Sequence, residues 1–148
     1  MTASRKRQSQ KIGMLGEEVV AAWLISQGWQ LLHSRWRCRW GELDLIVQGE
    51  GMLIFVEVKT RSDRSWDSGG LLAITPQKQA KLWQAAEIFL GEFPQWADVP
   101  CRFDLALVRC GGATSFPDSD LSRVQRGESL YYQGYEFAIA DYLVSIFD

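Results

Sequence analysis

The chain has 148 residues, 47% hydrophobic and 23% charged, with a formal net charge of −2; this suits one soluble globular domain that needs neither metals nor disulfides to hold its core. Its apolar runs, such as residues 53–56 and 105–108, fall far short of the roughly 18–20 residues that span a bilayer, and no apolar secretory stretch follows Arg5, Lys6 and Arg7. No membrane partner is expected, and a cytoplasmic location is.

Cys38, Cys101 and Cys110 are odd in number and lack C-x-x-C spacing, so they read as reduced thiols in or near the core. The net charge conceals an asymmetry. Residues 1–40 carry seven Lys/Arg against two Glu, or +5, and residues 41–148 carry nine against sixteen acids, or −7. This division suits a basic arm that meets phosphate beside an acidic pocket that collects cations. It equally suits a solvated tail beside an ordinary acidic surface.

Residues 1–10 are polar, basic and aperiodic and read as a flexible arm preceding one domain over 11–148. From Ile12 a helical stripe follows, Leu15, Val19, Ala22, Trp23 and Ser26, with Gly28 placed to cap its end. Residues 29–40 then alternate, with Trp36, Cys38 and Trp40 on an apolar side and Arg35, Arg37 and Arg39 on a basic one. Two further strands, 43–47 and 52–58, flank the hairpin loop Gln48-Gly49-Glu50-Gly51. Residues 62–75, with Gly69-Gly70, read as a long mobile loop. A second helix follows, capped by Thr75, with Pro76 in its first position, a buried stripe of Leu82, Ala85, Ala86 and Phe89, and Gly91 closing it. After a linker over 94–100, residues 102–109 read as a strand and 111–128 as turns; the apolar tail 130–147 is compatible with strand or helix.

Chemistry concentrates at the second and third strands. Glu57 and Lys59 share a face because side chains alternate, and the hairpin returns Glu57 to within one or two residues of Asp44. Two carboxylates with positions left open to water and phosphate suit Mg²⁺ or Mn²⁺, and Lys59 is placed to orient a water or meet developing oxyanion charge. By itself Asp-x12-Glu-x-Lys also describes an exposed hairpin with a cross-strand ion pair. Other chemistries have less support. His33 is the one histidine, which excludes His-rich zinc sites, and Gly69-Gly70 lacks the Lys-Ser/Thr of a phosphate loop. Trp36 and Trp40 read as core residues rather than base-stacking platforms.

The blocks Gly41-Glu42-Leu43-Asp44-Leu45-Ile46 and Phe55-Val56-Glu57-Val58-Lys59-Thr60-Arg61 resemble the signature of the YraN-type bacterial proteins, placed among the restriction-endonuclease-like PD-(D/E)xK nucleases. The likeness extends through Gly16-Glu17, Arg35-Trp36-Arg37, Pro76-Gln77-Lys78 and Arg102-Phe103-Asp104. Leu43 stands where the superfamily motif has its proline. The resemblance implies an α/β restriction-endonuclease-like fold, with a mixed central sheet flanked by helices in the order α-β-β-β-α-β. It implies metal ligation by Asp44 and Glu57, catalysis by Lys59, a resolvase-like contribution from Glu17, and a basic residue near the substrate in Lys78; Arg35 and Arg37, interleaved with Trp36 and Trp40, suit phosphate contacts, and Arg61 is expected with them at the nucleic acid. Glu17 beside Glu18 also reads as a solvated helix pair. The expected activity is Mg²⁺- or Mn²⁺-dependent hydrolysis of phosphodiester bonds in structured or branched nucleic acid, with DNA favoured over RNA and a homodimer compatible with the sequence. The rival is a non-catalytic nucleic-acid-binding scaffold in DNA uptake, repair or recombination.

Overall fold

The computed structural model describes residues 2–62 and 74–147. Helix α1 (Ala3–Ser26) begins at Thr2, whose hydroxyl accepts the Arg5 N–H at 3.2 Å. Residues 3–10 are therefore helical, a correction to the aperiodic arm expected there. The cause is physical: an exposed extension needs no apolar stripe, and the Arg, Lys and Gln of this segment are strong helix formers behind a capping threonine. The buried face is also rotated from the expected stripe, using Leu15, Gly16, Val19, Val20, Ala21 and Leu24. Small residues turn toward the sheet and let the helix approach closely, while Trp23 moves to the rim, its ring 5.0 Å from that of Tyr142.

Strands β1 (Gln30–Cys38), β2 (Gly41–Gly49) and β3 (Met52–Ser62) form an antiparallel meander. The β2–β3 turn places Glu50 and Gly51 at positive φ, 55° and 73°, the backbone that a tight two-residue hairpin requires. Helix α2 (Pro76–Glu92) has the expected start, with Thr75 Oγ1 accepting the Lys78 N–H at 3.2 Å, and it runs through Gly91. It carries the chain over to β4 (Cys101–Ala113), which lies parallel to β3. Such a pair is covered on both faces, which is why residues 53–58 form one continuous buried run rather than an alternating one. The tail forms strands: β5 (Leu130–Tyr132) and β6 (Tyr135–Leu143) make a hairpin on β4 and complete the sheet order β1-β2-β3-β4-β6-β5.

The result is an α/β architecture, a mixed six-strand sheet flanked by two helices and consistent with a restriction-endonuclease-like core. The α1 face buries Leu15, Val19 and Leu24 against Val47, Ile54, Val56 and Val108; the α2 face buries Leu82, Ala86 and Phe89 against Ile46, Phe55 and Phe103. At ~25 cal/mol per Å² these apolar contacts dominate folding. One buried charge fastens the tail to the sheet. Asp104, fully buried, receives the Arg102 Nε–H at 3.0 Å, the Tyr142 hydroxyl at 2.7 Å and the Ser145 N–H at 2.9 Å. Burial, followed by this carboxylate, pushes the Tyr142 phenol well above its ordinary range.

Trp36 packs in the α2-side core as expected, but Trp40 lies in the β1–β2 turn and is 37% exposed. The strand ends two residues before it, so the alternation that would have buried it stops short. Cys110 is buried, Cys38 and Cys101 half-buried, and all three are free thiols. No helix among the described residues is long and apolar enough to cross a membrane. The loop expected over 62–75, including Gly69-Gly70, lies largely outside the described residues.

Candidate metal and nucleic-acid site

The site forms where the β2–β3 ladder opens. Paired positions run from Gly49↔Met52 to Leu45↔Val56; one step further, carboxylates take the place of backbone partners. Asp44 Oδ2 accepts the Val58 N–H at 2.9 Å, and Glu57 Oε2 accepts the Asp44 N–H at 3.4 Å. On the other side of β2 the ladder is also disturbed, because Arg35, between the pairs Ser34↔Leu45 and Trp36↔Leu43, has φ 51°. Leu43 and Leu45 accordingly pack in opposite cores although only Asp44 separates them. Asp44 sits at this break in alternation, which is how a charged residue can interrupt a buried strand and still find partners.

Helix α1 brings the next acid. Gly16 lies flush against β3: a Cβ built on it would come 2.2 Å from Thr60 Oγ1. That close approach sets Glu17 over Asp44, and carboxylate oxygens of Glu17, Glu42 and Asp44 lie within 4.8 Å of one another. Glu42 lies outside the set of acids expected from the sequence, although its position carries a signal. It stands two residues before Asp44 on a strand, the spacing that returns a side chain to the same face. Glu57, 8% exposed, joins through its contact with Asp44 rather than as part of this group of three.

The electrostatics are those of an acidic cluster that Arg35, Arg37 and Lys59 compensate only in part. Burial, then the charges of Asp44 and Glu42, push the Glu17 carboxyl from its ordinary 4.5 up to about 8, with Arg35 opposing. Burial raises Asp44 as well, against the Val58 N–H and the Lys59 ammonium. Glu57 is raised well above its usual range by burial and then by the Asp44 charge, again with Lys59 opposing. Positive charge arriving beside such a group favours its ionised form. Oxygen donors in this number and spacing fit a hard divalent cation that keeps open positions.

The expected cations divide into two sets. Arg35 and Arg37 are engaged with the cluster itself, Arg35 Nε lying 3.8 Å from Glu17 Oε1 and Arg37 Nε 2.7 Å from Glu42 Oε2. They hold acids in place as well as adding positive charge near a ligand. Lys59 lies with Glu57 beside a cavity of about 120 Å³ that Lys78 and Lys81 also line, at the N-terminal end of α2. Arg61 is exposed further along β3, its Nη1 donating to the Thr60 carbonyl at 3.2 Å. Asp44 thus stands between a carboxylate group on one side and an ammonium-rich cavity reached through Glu57 on the other.

Comparison with known proteins agrees with the extent of this core. A family model described as "Uncharacterised protein family UPF0102" matches residues 16–108, the stretch from Gly16 to the middle of β4. The chain is 46% identical to a UPF0102 protein of Trichodesmium erythraeum over 94% of its own length and 91% of the relative's. It is 42% identical to one of Synechocystis sp. over 92% and 97%, and 39% identical to one of Acaryochloris marina over 97% and 94%.

Proposed function

The chain belongs to the uncharacterised protein family UPF0102, and we propose that it is a divalent-metal-dependent nuclease that hydrolyses phosphodiester bonds in structured or branched DNA. The observation that carries this reading is the convergence of Glu17, Glu42 and Asp44 within 4.8 Å beside the opened ladder that also holds Glu57 and leads to Lys59. Structural ion pairs alone do not call for this arrangement. Three acids around one point repel one another, whereas a cation-binding site needs them.

Glu17, Glu42 and Asp44 would hold Mg²⁺ or Mn²⁺, which when bound supplies neutralisation of phosphate charge and a more acidic water. The protein's own groups do the rest. Glu57, by accepting the Asp44 N–H, fixes the backbone from which that carboxylate projects. Arg35 and Arg37 restrain the Glu17 and Glu42 carboxylates, limiting their rotamers. The Lys59 ammonium, on the same strand face as Glu57, donates to a phosphate oxygen whose charge grows as the P–O bond breaks; Lys78 and Lys81 hold the neighbouring phosphate backbone electrostatically.

The test is cleavage of a panel of single-stranded, duplex, flap and four-way-junction DNAs, and their RNA counterparts, with Mg²⁺, Mn²⁺ or chelator. Cleavage of DNA that chelator abolishes is the expected result. Tight binding without cleavage of any substrate would replace this reading with that of a nucleic-acid-binding scaffold, and neither binding nor cleavage would refute both.

A further inference from the structure

The β1–β2 turn carries an exposed tryptophan that neither core uses. Among the described residues Trp40 belongs to neither hydrophobic cluster and is 37% exposed. Its backbone is held: the Trp40 N–H donates to Cys38 Sγ at 3.4 Å, and the following Gly41 adopts φ 128°. The Arg39 guanidinium lies 5.4 Å from the centre of the Trp40 ring. Arg37, opposite Glu42 in the ladder, ties the base of this turn to the acidic cluster by its 2.7 Å contact with Glu42.

Resting on the nuclease reading above, we infer that Trp40, with Arg39, is a stacking platform for an unpaired nucleobase beside the cleavage site, which makes the substrate class DNA with unpaired nucleotides. Three observations combine. The ring is large, flat and outside both buried clusters, and it sits in a backbone held by its own hydrogen bond. Its cationic neighbours suit the phosphates on either side of a stacked base, and a guanidinium beside an aromatic ring adds cation–π attraction. Distance completes the argument. At no more than about 3.6 Å per residue, the Trp40 Cα is within about 7 Å of that of Glu42 and about 14 Å of that of Asp44; about five stacked nucleotides at the ~3.4 Å duplex rise cover this span. A base pair inside a duplex offers no free face to such a ring. A single strand, a flap or the centre of a junction does.

The experiment is binding, measured in chelator so that cleavage cannot intervene, of a single-stranded oligonucleotide and a blunt duplex of the same length, each carrying one 2-aminopurine. The wild type should bind the single strand and alter its fluorescence through stacking. Trp40→Ala should weaken that binding by about 5- to 150-fold, the loss expected for one base–aromatic stack, and remove the fluorescence change. Trp40→Phe should restore most of both, and duplex affinity should stay the same. Folding is checked by the thermal transition, and Trp40→Phe keeps an aromatic ring should the alanine variant fold poorly. Single-strand affinity equal to wild type in a folded Trp40→Ala protein would overturn the platform while leaving the nuclease reading standing. A wild type that binds neither oligonucleotide would instead remove the nucleic-acid reading on which the platform rests. Should Trp40→Ala change only the sedimentation of the protein, converting dimer to monomer with DNA binding intact, the turn would be a contact between two copies and the platform would be refuted.

Discussion

The Asp44 and Glu57 carboxyls meet side chain to side chain, a contact that raises Glu57 and lowers Asp44, and each also accepts a backbone N–H of the opposing strand, Asp44 Oδ2 from Val58 at 2.9 Å and Glu57 Oε2 from Asp44 at 3.4 Å. The end of the ladder is thereby closed by groups that also carry negative charge. Structure and chemistry can be separated by substitution. Asp44→Asn keeps an oxygen that can accept the Val58 N–H but loses the charge. It should fold as the wild type does, with equal or higher thermal stability in chelator. Its Mn²⁺ affinity should fall by more than the ~10–100-fold typical of losing a partner outside the metal's own ligands. Calorimetric titration decides this, and equal heats from both proteins would remove Asp44 from the metal site.

Lys59 separates binding from chemistry. Lys59→Met preserves the aliphatic stem and deletes the ammonium. Folding and metal affinity should survive, while the single-turnover cleavage rate should drop on the order of 10²–10³-fold, as for the loss of one donor to developing oxyanion charge, with little change in DNA affinity. Wild-type cleavage by this variant would leave Lys59 as an ion-pair partner only.

The pH dependence of stability follows from Glu17. Its carboxyl titrates near 8 in the folded chain against an ordinary 4.5, so between these values the folded state binds more protons than the unfolded one. The favourable contribution is complete below about pH 4.5 and is lost as the pH rises through about 8, and the raised Asp44 and Glu57 act in the same direction. Metal-free protein should therefore melt at a falling temperature across this window, and Glu17→Gln should flatten the slope. Added Mn²⁺ should stabilise most at the alkaline end, where its ligands are ionised. Identical slopes for wild type and Glu17→Gln in chelator would contradict the placement of Glu17 over the cluster.

Gly16 tests how closely α1 must sit. Alanine there would put a Cβ 2.2 Å from Thr60 Oγ1, an atom that finds no hydrogen-bond partner among the described residues. Gly16→Ala should destabilise the protein through overpacking of about 1–3 kcal/mol, less the ~1 kcal/mol that alanine gains within a helix. In a Thr60→Ala background the obstruction is gone, and the same substitution should become stabilising by up to about 1 kcal/mol. Urea denaturation of the four proteins in this cycle measures the coupling. Additive effects would mean that helix and strand do not meet as tightly as described.

What the sequence by itself determined was local. The α2 start at Thr75-Pro76, the Glu50-Gly51 turn and the return of Glu57 toward Asp44 depend on cap chemistry, glycine backbone freedom and strand period, all of which act over a few residues. The tertiary structure decided what depends on which side of an element faces its neighbour. Helix α1 extends to Ala3 because an exposed helical segment carries no apolar signal, and its buried face rotates toward Gly16 and Ala21 because close packing on β3 favours small residues. The tail becomes β5 and β6 because β4 has a free edge to pair and Asp104 binds Tyr142 and Ser145. Glu42 enters the acidic cluster, and Trp40 leaves the core, because β1 stops at Cys38 and its backbone turns to positive φ at Arg35. Alternation along one strand specifies which side chains share a face, but the twist and interruption of neighbouring strands determine what that face meets.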